Sequence, residues 1–385
     1  MKATMSMLLL IAAQGVAQLQ HAPAGSVGMS AERIERAAEI LASEVKQGNV
    51  GAAAIIVARR GRIVLHKGFG GLSPARDSSP VVPDSIFLLA SITKPVTASA
   101  LMLLVDRGLV SLSDPVSHYL PEFTGASREK VRVSDLLSHT SGLPDMLPEN
   151  IDLRRAHAPL SKFVTQTYTT PLLYLPQQDF RYQSMGILLA AEIVERLTKM
   201  RLRDFVQKEI FAPLGMKNSA LGMKKEWRIP DTVWCYESPG SNQKDNESFG
   251  ANSAYWRDMG HPWGGMHSTT GDLAILLQTF LNGGRHGGKF WMNPASVAAM
   301  TTDRNKQLNR PWGLGWAVAN SPVWNYAGDL VSPRAFSHAG ATGTVAWADP
   351  ERQLLTVVLT SRPVSYDDGR LLRLVSNAVT ASVEE

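Results

Sequence analysis

The stretch Leu88-Leu89-Ala90-Ser91-Ile92-Thr93-Lys94-Pro95-Val96-Thr97-Ala98 decides how the rest of the chain is read. Ser91 and Lys94 stand three residues apart where an apolar helical pattern, Pro95 to Leu109, begins. Residues i and i+3 share a helix face, so an ammonium at 94 can reach a hydroxyl at 91. Pro95 suits a first helical turn, where its missing N–H costs least. A hydroxyl at a helix N-terminus also sits at the positive end of the dipole, which favours a developing anion. Serine needs such help, because its free hydroxyl is a poor nucleophile. Taken alone, S-x-x-K equally describes a capped helix with an exposed lysine.

Outward from that helix, both ends of the chain read as strands. Ala52 to Ala58 and Ile63 to His66 flank a turn at Arg60-Gly61, which predicts a hairpin. Gly343 to Ala348 and Leu354 to Leu359 repeat the pattern around Asp349-Pro350-Glu351-Arg352. Ser30 is a suitable N-cap for a helix to about Lys46, and a last helix is predicted from about Asp367 to Ser382. Between these ends helical patterns dominate: Met185 to Leu197, Leu202 to Ile210, and one capped by Thr269-Thr270-Gly271-Asp272. Glu237 to Asn252 reads as a surface loop. The prediction is an α+β fold, with an antiparallel sheet built from both chain ends, flanking helices and a large, mostly helical lobe. The α/β lobe takes about 30–85 and 300–385, the helical lobe about 86–299, and a site is expected in the crevice between them.

Several further segments resemble those of the penicillin-recognising serine hydrolases: class C β-lactamases, DD-peptidases, D-aminopeptidases and related carboxylesterases. Pro83-Asp84-Ser85-Ile86-Phe87 resembles the family's lead-in to the nucleophile. Leu136-Leu137-Ser138-His139-Thr140-Ser141-Gly142-Leu143-Pro144 resembles its L-L-x-H-T-S-G-L-P stretch. Ile210 to Met216 and Trp312-Gly313-Leu314-Gly315-Trp316 are family-like as well. The resemblance runs from about residue 30 to 380 and implies a β-lactamase/transpeptidase-like fold in one catalytic domain, 26–385.

It also implies roles. Ser91 would be the acylated nucleophile, with Lys94 and Tyr182 as the groups that move its proton. The family's second element is Tyr-x-Asn, and here Tyr182-Gln183-Ser184 places a serine third, too short to reproduce an amide contact. A tyrosinate is a competent base if a cation lowers its pKa from about 10, and Lys94 is the expected cation. The third element is His338-Ala339-Gly340, where the β-lactamases carry Lys-Thr-Gly. Ser184, His338, Ala339 and Gly340 would then contact substrate, and the N–H groups of Ser91 and Ala341 would form the oxyanion hole. An imidazole in place of a permanent cation argues against efficient β-lactam hydrolysis. The implied activity is a carboxylesterase on small acyl esters. The alternatives are a D-amino-acid peptidase or DD-carboxypeptidase, a β-lactamase, or a penicillin-binding sensor that acylates without turnover. No metal or organic cofactor is required.

Composition narrows the partners. The 385 residues carry 39 basic and 34 acidic side chains, a net charge of +5 with no basic block, so a nucleic-acid partner is not expected. The partner is a small ester or amide; the oligomeric state stays open. One cysteine, Cys235, excludes an internal disulfide and multi-cysteine metal sites. His261 and His267, in a Gly/Pro-rich loop, read as surface residues, His139 as part of a turn near the cleft, and Gly283 to Gly288 as a plain turn. No apolar run of 18 residues follows the N-terminus, so stable membrane insertion is not expected. Met1 to about Gly25, with Lys2 and an apolar Met5–Ala13 run, has the layout of a signal peptide, the alternative being a disordered tail. It implies a secreted or periplasmic protein, or a cytoplasmic one if the segment is no signal.

Overall fold

A computed structural model describes residues 19–238, 240–318, 321 and 324–384. The apolar run Ala52–Arg59 (β2) is buried along its whole length, which marks a strand covered on both faces. Its alternation divides the core. Ala52, Ala54, Ile56 and Ala58 pack towards the helical lobe, while Ala53, Ile55 and Val57 pack towards the two terminal helices. Those helices are α1 (Ala31–Lys46), capped by Ser30, and one spanning Arg370–Ala381.

β2 is an interior strand of a seven-stranded sheet. The other strands are β1 (Gln20–His21), β3 (Arg62–Gly70), β4 (Ala317–Val318), β5 (Phe336–Gly340), β6 (Thr344–Asp349) and β7 (Leu354–Thr360). The order is β1-β3-β2-β7-β6-β5-β4, antiparallel except for the parallel β1–β3 pair. The predicted α+β class, with a sheet drawn from both chain ends, is therefore what the chain forms.

Four sequence expectations need correction. The folded chain begins before residue 25, since Gln20 and His21 already pair with Arg62 and Ile63; the apolar segment of the proposed signal peptide lies outside the described residues. Within the predicted loop 237–252, Gln243–Phe249 is helical, because Asn242 accepts from the Asp245 N–H as an N-cap. Around Gly283–Gly288 the chain forms a short hairpin, Arg285–His286 with Lys289–Phe290. His261 and His267 are buried rather than superficial. His267 lies in the central strand of a small sheet, Met266–Ser268 between Phe87–Leu88 and Ala220–Leu221. His261 packs its ring 4.0 Å from Trp256 and 4.8 Å from Trp263.

No helix among the described residues is long and apolar enough to cross a membrane. No group of three or more His, Cys, Asp or Glu among them is placed to hold a metal ion.

Candidate active site

Ala90–Ile92 forms one 3₁₀ turn that feeds α2 (Thr93–Asp106). Ala90 adopts φ +48°, a left-handed conformation that costs an alanine about 1 kcal/mol, so the turn presenting Ser91 is held against local preference. Every side chain of α2 from Thr93 to Leu104 is buried. Lys94 is therefore a lysine inside the protein, 1% exposed, and a buried ammonium is costly unless it has partners or a function. Its Nζ donates to Ser91 Oγ at 2.9 Å and to the Trp263 carbonyl at 3.1 Å. Burial lowers its pKa to about 7, against an opposing attraction from Asp145.

Tyr182 arrives from the other side. It directly precedes α3 (Met185–Thr198), which packs against α2. The Leu136–Pro144 stretch fixes the approach. His139 closes a short helix in the left-handed conformation, φ +62°. Its carbonyl accepts from the Arg181 N–H at 3.1 Å and its Nδ1 accepts from the Gln183 N–H at 3.3 Å. Gln183, fully buried, donates through Nε2 to the Asp135 carbonyl and accepts from Ser141 Oγ. Gly142 has φ +83°, and a Cβ there would run into the Tyr174 carbonyl. The motif thus works as a bracket for residues 180–184.

Lys94 Nζ lies 4.5 Å from the Tyr182 ring centroid, over its face. Tyr182 Oη is buried with no partner of ordinary hydrogen-bond geometry, although the Ser91 hydroxyl is near enough to favour its ionised form. The expected depression of the Tyr182 pKa by Lys94 is not found. Burial pushes the phenol well above its usual value, and the Asp145 charge adds to that.

β5 supplies the third wall. On its helical-lobe face Phe336, His338 and Gly340 alternate, whereas Ala339 points into the core beneath the terminal helices. Only the backbone of Ala339 can therefore face the site. Thr342 Oγ1 and Thr344 Oγ1 donate to the carbonyls of Leu88 and Leu89, at 2.8 and 2.9 Å, tying the strand end to the Ser91 turn. Gly340 is required there, since a Cβ would collide with the Leu89 carbonyl. Ala341 follows in the exposed turn, with its carbonyl taken by the Val364 N–H. His338 Nδ1 donates to the Ala339 carbonyl at 2.8 Å, leaving Nε2 a buried lone pair without a partner. Burial and Lys94 depress its pKa to about 3, so it is neutral throughout the physiological range.

Other side chains complete the site. Phe180, Trp312 and Trp324 wall the site: Trp324 stacks on Tyr182 with centroids 4.7 Å apart, and Trp312 lies 5.5 Å from Phe180 and 5.4 Å from Trp324. His139 packs 4.7 Å from both Tyr182 and Trp312, and burial holds its pKa well below the ordinary value. Ser184 is 1% exposed, and its hydroxyl donates to Asp145 Oδ1 at 2.6 Å. The only signal for Asp145 was its place directly after the Ser141-Gly142-Leu143-Pro144 stretch. Trp324 had none.

Known proteins resemble this chain along most of its length. The family model described as Beta-lactamase matches residues 37–379. A Salmonella agona (strain SL483) relative, provisionally named a D-alanyl-D-alanine carboxypeptidase, is 29% identical over 377 residues, covering 90% of this chain and 87% of its own. Among solved structures, a penicillin-binding protein homologue from Caulobacter crescentus superposes with a TM-score of 0.76 at 24% identity, covering 91% of this chain and 98% of its own. EstCE1, described as a hydrolase with promiscuous acyltransferase activity, superposes with a TM-score of 0.75 at 20% identity, covering 91% and 99%. These two likenesses establish the shared fold. The chain belongs to the Beta-lactamase family and is a serine hydrolase of that family.

Proposed function

We propose that the protein is a carboxylesterase for small acyl esters that works through an acyl-enzyme on Ser91. The observation that carries this reading is the 2.9 Å contact from a fully buried Lys94, with a pKa near 7, to the Ser91 hydroxyl. Above that pH the amine is free to take the Ser91 proton as Oγ attacks the ester carbonyl. The N–H groups of Ser91 and Ala341 hold the oxyanion. As the intermediate collapses, the ester C–O bond breaks and the leaving alkoxide takes the proton back from Lys94, with the Tyr182 hydroxyl as relay. Water then repeats the sequence on the acyl-enzyme, giving the acid and free Ser91.

The ester preference rests on His338. It stands where the β-lactamases have a lysine, and it is neutral and buried. A site without a fixed cation there has nothing to hold a substrate carboxylate, whereas a simple ester needs no such contact. The provisional name of the Salmonella relative supports the second reading, a DD-carboxypeptidase.

A panel of p-nitrophenyl butyrate, a D-alanyl-D-alanine peptide and nitrocefin, each followed to steady state, tests the choice. The ester is expected to lead in kcat/KM. Ser91→Ala is expected to lose fluorophosphonate labelling and at least about 10³-fold in turnover. Near-native activity in that variant sinks the mechanism, and a single burst without turnover promotes the sensor.

A further inference from the structure

Asp145 is exposed, yet it belongs to the site. Its Oδ1 is fixed by the Ser184 hydroxyl at 2.6 Å, and its charge acts on both Lys94 and Tyr182. No lysine, arginine or histidine among the described residues forms an ion pair with it, and Arg154, the arginine nearest in sequence, donates instead to the Phe249 carbonyl and lies over the Trp256 ring. Oδ2 is thus a carboxylate oxygen that can meet a ligand. The Tyr182 ring, on which that charge acts, stacks against Trp324, and the buried Trp312 bridges Trp324 to Phe180; both Phe180 and Trp324 are partly exposed. His338 adds a neutral acceptor and no positive charge. An open carboxylate next to aromatic faces is the combination that attracts a soft cation, and quaternary ammonium groups are the ligands aromatic walls hold best.

We propose that Asp145 is a specificity-determining residue that receives an alkylammonium group on the alcohol portion of the ester, against the Phe180–Trp312–Trp324 wall. The proposal rests on the esterase reading and narrows its substrate class. With the ester carbonyl at Ser91, an alcohol portion carrying an ammonium two or three bonds away reaches the rim. A carboxylate in the same place meets Asp145 and is repelled.

The test compares butyrylcholine with 3,3-dimethylbutyl butyrate, which has carbon in place of the quaternary nitrogen and yields the same butyryl-enzyme. The two kcat/KM values are each divided by the ester's alkaline hydrolysis rate, because choline is the better leaving group. The corrected ratio is expected to favour butyrylcholine by about fivefold or more at low salt, the combined size of an exposed ion pair and a cation–π contact. It is expected to approach one in Asp145→Asn and to fall as NaCl is raised. Because the ratio is taken within one protein, a general loss of activity in the variant cancels. The salt series on the unmodified protein keeps the test decisive if that variant fails to fold. Equal ratios, a preference indifferent to both salt and Asp145→Asn, or hydrolysis of p-nitrophenyl butyrate but of neither alkyl ester overturns the ammonium site alone. Absence of p-nitrophenyl butyrate hydrolysis overturns the esterase reading beneath it.

Discussion

Lys94 Nζ sits over the face of the Tyr182 ring, 4.5 Å from its centroid, while the same nitrogen donates to Ser91 Oγ. The lysine therefore touches the Ser91 hydroxyl directly and the tyrosine through its π-system. Two of its three N–H groups have oxygen acceptors, and the ring stabilises the remaining positive charge without becoming ionised. Burial works in the same sense on both groups, favouring the neutral amine and the neutral phenol. On the proposed mechanism, that division makes Lys94 the group whose proton governs the rate.

The pH profile follows from it. Protonated Lys94 cannot accept the Ser91 hydrogen, so kcat/KM for p-nitrophenyl butyrate is expected to rise as pH increases through about 7 and level off above it. A rise that is not centred near 7 would remove a buried, neutral Lys94 from the role of base.

Stability should carry the same signature. Lys94 titrates near 10.5 when unfolded and near 7 when folded, so between these values the unfolded chain binds the extra proton. Stability then rises with pH across that window, and the penalty for the buried charge is fully present below pH 7. Lys94→Met removes the charge while keeping the length. It is expected to lose activity and yet melt higher than the unmodified protein at pH 6, by up to a few kcal/mol, with the difference shrinking towards pH 10. A difference that does not change with pH contradicts a buried, titrating Lys94.

Two aromatic positions separate chemistry from packing. Tyr182→Phe keeps the stack on Trp324 and deletes a hydroxyl that has no well-formed protein hydrogen bond. It is expected to cut the rate by about 10²–10⁴ with little change in melting temperature. His139→Ala, at a fully buried ring packed on Phe180, Tyr182 and Trp312, opens a cavity instead. About 2–4 kcal/mol of stability should be lost there. If His139→Ala loses rate like Tyr182→Phe at an unchanged melting temperature, the imidazole has a direct catalytic part.

Much of this was legible in the chain because it depends on local pattern. The alternation of β2, the Ser30 and Thr269 caps and the Ser91–Lys94 spacing are each set by neighbours within a few residues. The fate of His267 was not legible, because its burial depends on Phe87–Leu88 and Ala220–Leu221 closing over it from far along the sequence. Ser184 shows the same limit. Its position in Tyr-x-Ser suggested a substrate contact but could not show the bond its hydroxyl makes to Asp145, 39 residues earlier in the chain. Titration states were the least accessible, since the shifts of Lys94 and Tyr182 come from burial that only the assembled lobes provide.

His338 tests the substrate class most directly. Nitrocefin carries a carboxylate that the neutral imidazole cannot pair with, so the unmodified protein should favour p-nitrophenyl butyrate by at least about tenfold in kcat/KM, or about 1.4 kcal/mol in transition-state binding. His338→Lys places a second amine at a fully buried position whose present occupant already feels the charge of Lys94. Two cations in that space disfavour each other, so the variant should melt lower, most clearly at acidic pH where both are charged. By the same repulsion the Lys94 pKa should fall further, moving the rising limb of the ester profile below 7. Only the charged form of the introduced amine can attract the β-lactam carboxylate, so the ester-to-nitrocefin ratio should narrow at the acidic end and widen again as pH rises. Steady-state rates for both substrates from pH 5 to 9 give the measurement. Nitrocefin turnover equal to ester turnover in the unmodified protein ends the esterase preference, and a ratio in the variant that ignores pH removes charge at residue 338 as its cause.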